Sequence, residues 1–355
     1  VARLAAAGAT TTGALNMGEF AYDFTGENAH YGPSRNPHDR TRMAGGSSGG
    51  SGAAVGGGLV PLALGSDTNG SIRVPSAFCG IFGLKPTYGR LPRTGTFPFV
   101  DSLDHLGPMA RTVQDLALAF DAMQGADAGD DAGDPACRSD VGRLAAAAGL
   151  KEAPALRVAR LEGWFRGQAE PETDAAADRV AQALGADAQL DIEGVAAARA
   201  AAFVITNVEG AALHLDDIRR SPDAYDPFVR DRLLAGSLMP GVHYVRAQRA
   251  RLQFQRQMRA VFERYDLLVA PTTPMRAPTI GAQTVELAGE TVALRPNIGV
   301  YTQPISFIGL PVVSCPVWLD ALPCGVQLIA PAWREDLALR AAHQLEQSGV
   351  CGPKP

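Results

Sequence analysis

Two serine clusters hold the residues best suited to chemistry. One is GGSSGGSGAAVGGG (45–58) and the other is GSDTNGSIRVP (65–75). A serine hydroxyl is a weak nucleophile until a base takes its proton, so the candidate bases matter next. The chain has six histidines, at 30, 38, 105, 214, 243 and 343, and three lysines, Lys85, Lys151 and Lys354. A lysine-based Schiff base or a P-loop has almost no residue to draw on, and Gly-x-x-x-x-Gly-Lys-Ser/Thr does not occur.

The first cluster admits several readings. A flexible linker has this composition, but the run leads straight into Val55 and Leu59–Leu64 without a polar spacer. A second small-residue cluster, Gly70-Ser71, then follows a strand-length segment. A phosphate cradle would want Gly-x-Gly-x-x-Gly after a strand and an acidic residue for a ribose, and neither is in place. Gly46-Ser47-Ser48-Gly49-Gly50 matches the Gly-x-Ser-x-Gly elbow. That elbow needs a buried strand directly before it and a helix after it, and RNPHDRTRM (35–43) does not read as one. A Ser–His–Asp triad using His343, with Glu335 or Asp336 upstream, stays open. The five cysteines (79, 137, 315, 324, 351) form no CxxC and no zinc spacing, so neither a metal nor a cofactor is expected.

The elements that would position these residues can be read from periodicity. VARLAAAG opens the chain as the last turns of a helix with a Gly8 stop, which predicts an N-terminally truncated piece. ATTTGALNM (9–17) reads as a short buried strand, and 22–43 as a long ordered loop. LVPLALG (59–65), CGIFGLKPT (79–87), LRVARL (156–161), DLLVAPTTP (266–274), PVVSCPVW (311–318) and CGVQLIA (324–330) read as strands. Helices are predicted over 111–124, with Val113, Leu116, Leu118, Ala119 and Met123 on one stripe, and over 172–184, 194–219, 225–235, 243–264 and 334–347. Residues 125–136 read as a surface loop. Alternating strands and helices predict an α/β architecture in which helices cover a mixed or parallel sheet.

Composition sets the outer bounds. The chain of 355 residues is 46% apolar and 19% charged, with a net charge of −5, as a soluble globular protein is. Clustered Lys and Arg are missing, so nucleic acid is not an expected partner. No apolar run of about 18 residues and no signal peptide is evident, and the odd, scattered cysteines suit reduced thiols in the cytoplasm. No membrane partner is expected.

Residues 45–90 resemble the signature region of the amidase signature family. The resemblance extends through GALNMGEF (13–20), GENAHYGPSRNPHD (26–39), LDHLGPMARTVQDLAL (103–118), DLLVAPTTP and YTQPISFIGLPVVSCPV (301–317), and is weakest over 125–260. It implies a single domain over 1–355, a mixed β-sheet sandwiched between α-helices, with a surface loop at 125–150 and a mostly helical subregion at 170–264. It also implies hydrolysis of an amide or urea-type C–N bond with release of ammonia, by a Ser-cisSer-Lys mechanism. On this resemblance Ser71 is the nucleophile and Ser47, after a cis Gly46–Ser47 peptide, is the bridging serine. The N–H groups of Thr68, Asn69, Gly70 and Ser71 form the oxyanion hole. Ser71 could instead cap a helix. Asp67 and Arg73 read as a bracing ion pair, and Lys85 as structural.

The family's lysine base lies upstream of the Ser-Ser pair, and no lysine precedes Ser47. The chain is then a piece of an active amidase or a non-catalytic scaffold. Further implications are a small, anionic amide substrate, an oligomeric assembly and a small accessory subunit. Tyr22, Arg295, Tyr301 and Gln303 are the candidate substrate contacts, with ordinary ring packing as the alternative for Tyr301.

Overall fold

The computed structural model of the protein describes residues 1–125, 136–138, 141–151 and 155–354. The strands are β1 (Leu62–Ser66), β2 (Phe82–Lys85), β3 (Leu106–Ala110), β4 (Val158–Leu161), β5 (Ala188–Leu190), β6 (Leu267–Pro271), β7 (Thr284–Leu287), β8 (Glu290–Ala293), β9 (Val312–Trp318) and β10 (Pro323–Ile329). Eight of them form one sheet in the order β1-β3-β2-β9-β10-β6-β4-β5, and β7 and β8 form a separate hairpin. β4 runs parallel to β5 and β6, and the other neighbours in the large sheet are antiparallel. The sheet is therefore mixed, as the resemblance implied.

The helices are α1 (Ala2–Ala6), α2 (Gly49–Gly56), α3 (Arg73–Cys79), α4 (Val113–Met123), α5 (Ala146–Gly149), α6 (Pro171–Ala183), α7 (Val195–Arg220), α8 (Pro227–Ser237), α9 (Gly241–Arg264), α10 (Leu294–Ile298), α11 (Gln303–Ser306) and α12 (Glu335–Gln347). They cover both faces of the sheet. Strand alternation divides the core: on β6, Leu267 and Val269 pack with α4, α6 and α12, while Leu268 and Ala270 pack with α7, α8 and α9. Burying each such side chain contributes about 1.5–3 kcal/mol, so the sheet is held from both sides.

Several expectations change. Residues 9–17 form no strand; they are mostly exposed and pair with no strand, since only Leu15 and Met17 offer bulk and both are partly open to solvent. On α4, Leu118 faces solvent and Phe120 takes the core position. β3 escaped prediction because Pro108 argues against a central strand. Its ladder with β2 spans only Met109 and Ala110, so the proline's missing donor lies beyond that pairing. The predicted surface loop at 125–136 falls largely outside the described residues.

The opening helix forms, ending before Gly8 at φ 92°. α7, 26 residues long, is apolar enough by length and composition to cross a membrane, which the run-based reading overlooked. Its Ala201, Ala202 and Ile205 are buried in the core with α8 and α9.

Candidate active site

Ser71 sits where a strand hands over to a helix. β1 ends at Ser66, the loop Asp67-Thr68-Asn69-Gly70-Ser71 follows, and α3 begins at Arg73. The loop is braced from beneath. Asp67 and Arg73 form an ion pair at 2.9 Å, both side chains fully enclosed, and Arg73 also donates to the Thr302 carbonyl and Gln327 Oε1. Burial works against the Asp67 charge, but Arg73, with Lys85 and His105, holds its pKa down to about 2. Gly70 has φ 145° and a Cβ there would run into the Thr302 side chain, so the backbone approaches α11 as only glycine allows. Ser71 does not cap α3: the cap position is Ile72, with no side-chain cap.

The Gly-Ser-Ser turn lies against this loop. The Gly46–Ser47 peptide is cis. The Ser48 N–H donates to the Ser71 carbonyl at 3.3 Å, and the Ser48 hydroxyl accepts from the Ser66 N–H at 3.1 Å. Ser47 is fully buried, and its Oγ has no hydrogen-bond partner among the described residues. α2 starts directly after Ser48 despite its glycines. Gly56 is needed there, because a Cβ would stand 2.6 Å from the Cys79 carbonyl oxygen at the end of α3. A helix thus follows the Gly-x-Ser-x-Gly match, but no strand precedes it.

A cavity of about 330 Å³ opens over Ser71, Thr68 and Asn69. No histidine lines it. His343 lies within ion-pair distance of Glu346 on α12, on the far face of the sheet, which removes the Ser–His–Asp reading. Lys85 does not line it either. It is fully buried on β2, where its ammonium donates to the Pro86 carbonyl at 3.0 Å and meets His105 Nε2 at 3.2 Å. Burial first, then Arg73, pushes its pKa down to about 7. Among the described residues no group of three or more His, Cys, Asp or Glu is arranged to hold a metal.

Three of the four expected substrate contacts line the cavity: Tyr22, Arg295 and Gln303. Tyr301 does not. It is fully buried with its ring 5.7 Å from Phe165, which is the packing alternative. Arg295 reaches the cavity, but its guanidinium is held by Asp23 at 2.6 Å and Glu27 at 2.7 Å. Tyr22 directs its hydroxyl to Asn207 Oδ1, and burial raises its pKa to about 12 against the pull of Arg232. Gln303 Oε1 accepts from Arg199 Nε at 2.9 Å.

Sequence reasoning missed Arg232. This arginine of α8 lines the cavity, stacks 3.8 Å from the Tyr22 ring centroid and donates from Nε to the Phe228 carbonyl and from Nη2 to the Tyr22 carbonyl. No carboxylate among the described residues pairs with it within 4.0 Å. Burial lowers its pKa first, with Tyr22 and Asp23 pulling the other way. Thr206 and Phe203 of α7 complete the wall. All three lie in 125–260, where the resemblance was weakest, and a single arginine or threonine on an amphipathic helix gives no motif to find.

The fold and this site define a class. The family described as Amidase matches residues 1–339, and the chain belongs to that family; it is an amidohydrolase of amide or urea-type C–N bonds. Among individual proteins, it is 52% identical over 353 residues to AtzE, a 1-carboxybiuret hydrolase subunit of Pseudomonas sp. (strain ADP), covering 99% of this chain and 76% of that protein. A glutamyl-tRNA(Gln) amidotransferase subunit from Geobacillus stearothermophilus is 37% identical, over 98% of this chain and 76% of its own length. A solved structure from a vestigial protein complex bearing on the origins of an s-triazine catabolic enzyme superposes with a TM-score of 0.96 at 51% identity, covering all of this chain and 77% of that one. The 6-aminohexanoate cyclic dimer hydrolase bound to substrate gives 0.85 at 30%, over 98% and 77%.

Proposed function

We propose that the protein hydrolyses 1-carboxybiuret or a close ureido acid, releasing ammonia, with Ser71 as nucleophile and Ser47 as proton relay. The observation that carries the reading is a cavity with Ser71 at its floor and a carboxylate-free arginine, Arg232, in its wall, in a chain 52% identical to a subunit of 1-carboxybiuret hydrolase. Ser71 Oγ attacks the carbonyl carbon while its proton passes to Ser47. The Ser47 hydroxyl is enclosed and, among the described residues, makes no hydrogen bond, to Ser71 Oγ or to any other group, so the relay requires the two hydroxyls to come within hydrogen-bond reach when substrate is bound. Lys85 is enclosed at its own site and does not line the cavity, so it is not placed to act as the base beyond Ser47.

Negative charge on the tetrahedral oxygen is met by N–H groups of the loop from Thr68 to Ser71, where a single donor is worth roughly 3 kcal/mol. The C–N bond breaks, ammonia leaves with the returned proton, and water releases the acyl group from Ser71. Arg232 supplies charge-assisted hydrogen bonds to the substrate carboxylate. Arg295, its charge already matched by Asp23 and Glu27, orients the cavity wall and the Phe228 ring, 4.2 Å away. The resemblance to a structure from a protein complex favours a partner in the form of a small accessory subunit. The test is ammonia release from 1-carboxybiuret. Wild-type turnover that disappears in Ser71→Ala supports the reading, and no turnover by wild type overturns it.

A further inference from the structure

We infer that the Asn69 carboxamide reads a substrate N–H on the retained side of the scissile carbonyl, and so selects ureido compounds over ordinary carboxamides. This rests on the proposed function and adds a side chain to it. Asn69 stands two residues before Ser71, lines the cavity and is only 9% exposed. Its Nδ2 donates to Thr206 Oγ1 of α7 at 2.8 Å, a fully buried contact that ties the nucleophile loop to the opposite wall. That contact fixes the amide, and the other end, Oδ1, is buried with no hydrogen-bond partner among the described residues. A buried carbonyl oxygen without a donor carries an uncompensated desolvation cost, and the residue that carries it here lines the cavity.

The other acceptors around the cavity are engaged. Gln303 Oε1 takes Arg199, Asp23 takes Arg295 and Thr25, and the Thr68 hydroxyl donates to Asp104 at 2.6 Å. Asp231 lies at the exposed rim, paired with Arg230. Asn69 Oδ1 is, among the described side chains within two residues of Ser71, a buried acceptor that makes no hydrogen bond. In a biuret-like compound the carbonyl under attack carries N–H on the side that stays bound to it. In a carboxamide that place is CH2, which leaves Oδ1 buried and unpaired, and sites of this kind discriminate strongly against the analogue lacking the donor.

Biuret and malonamide test this directly, because they differ only in a central NH against CH2. Titration calorimetry on the wild-type chain should show biuret binding at least about tenfold more tightly, and Asn69→Ala should bring the ratio to within about twofold. Asn69→Asp, which keeps an acceptor, should retain the preference. If Asn69→Ala does not fold, Asn69→Gly takes its place. A wild-type ratio near one, or a ratio unchanged in a folded Asn69→Ala or Asn69→Gly chain, overturns the inference. Binding preference without any ammonia release from 1-carboxybiuret would sink the proposed function while leaving this assignment standing. Turnover with an unchanged ratio would do the reverse.

Discussion

Ser71, Ser47 and Arg232 each make a separate demand on the chemistry. On the proposed mechanism Ser47→Ala removes the relay between Ser71 and its base, and general acid–base steps of this kind contribute about 10²–10⁴-fold; kcat for ammonia release should fall by that order with the melting temperature unchanged. A drop of only a few-fold would show that Ser71 loses its proton by another route. Arg232→Ala should raise KM for an anionic substrate by about 10–100-fold, the equivalent of about 1.5–3 kcal/mol for a hydrogen bond to a charged group, and should leave a neutral amide less affected. Equal losses on both substrates would make Arg232 a packing residue. The serines were legible in the sequence because glycine-rich turns at fixed spacing form a motif. Arg232 and Thr206 were not, because they reach the cavity only when α7 and α8 fold across the sheet. Arg295 was legible by type, but its pairing with Asp23 and Glu27 is set by residues 268 or more positions away.

At the scale of elements, the hand-over from β1 to α3 governs everything above it. Asp67 and Arg73 are both fully enclosed, and removing one partner of such a pair leaves a buried charge that costs about 3–5 kcal/mol. Asp67→Asn should therefore lower stability in denaturant titration by that amount. A loss below about 1 kcal/mol would show that the loop is held by other contacts. Phe120, fully buried on α4, should cost about 3–5 kcal/mol on truncation to Ala. β6, β9 and β10 were readable as short, mostly apolar runs of strand length, buried on both faces, and the long helices because a period of 3.6 survives in α6, α7 and α9. α2 and β3 were not. Glycines over 49–57 and Pro108 speak against regular structure locally, and only contact with α3, in one case, and pairing with β1, in the other, overrides them.

Across the whole molecule, the buried Lys85–His105 pair gives stability a pH signature. Burial lowers Lys85 from 10.5 to about 7, and burial followed by Lys85 keeps His105 well below 6.5. Between the folded and unfolded values the unfolded chain binds the extra proton, so stability rises with pH across the Lys85 window. The melting temperature should climb from about pH 7 to about pH 10, and Lys85→Met should flatten that climb. A melting temperature that falls over the same range would contradict the assignment. The central claim, an amidohydrolase whose nucleophile is Ser71, is tested most directly by ammonia release from 1-carboxybiuret, using the wild-type protein beside its Ser71→Ala variant. The account predicts steady release by wild type and none by a Ser71→Ala protein of unchanged melting temperature; equal release by the two would contradict it.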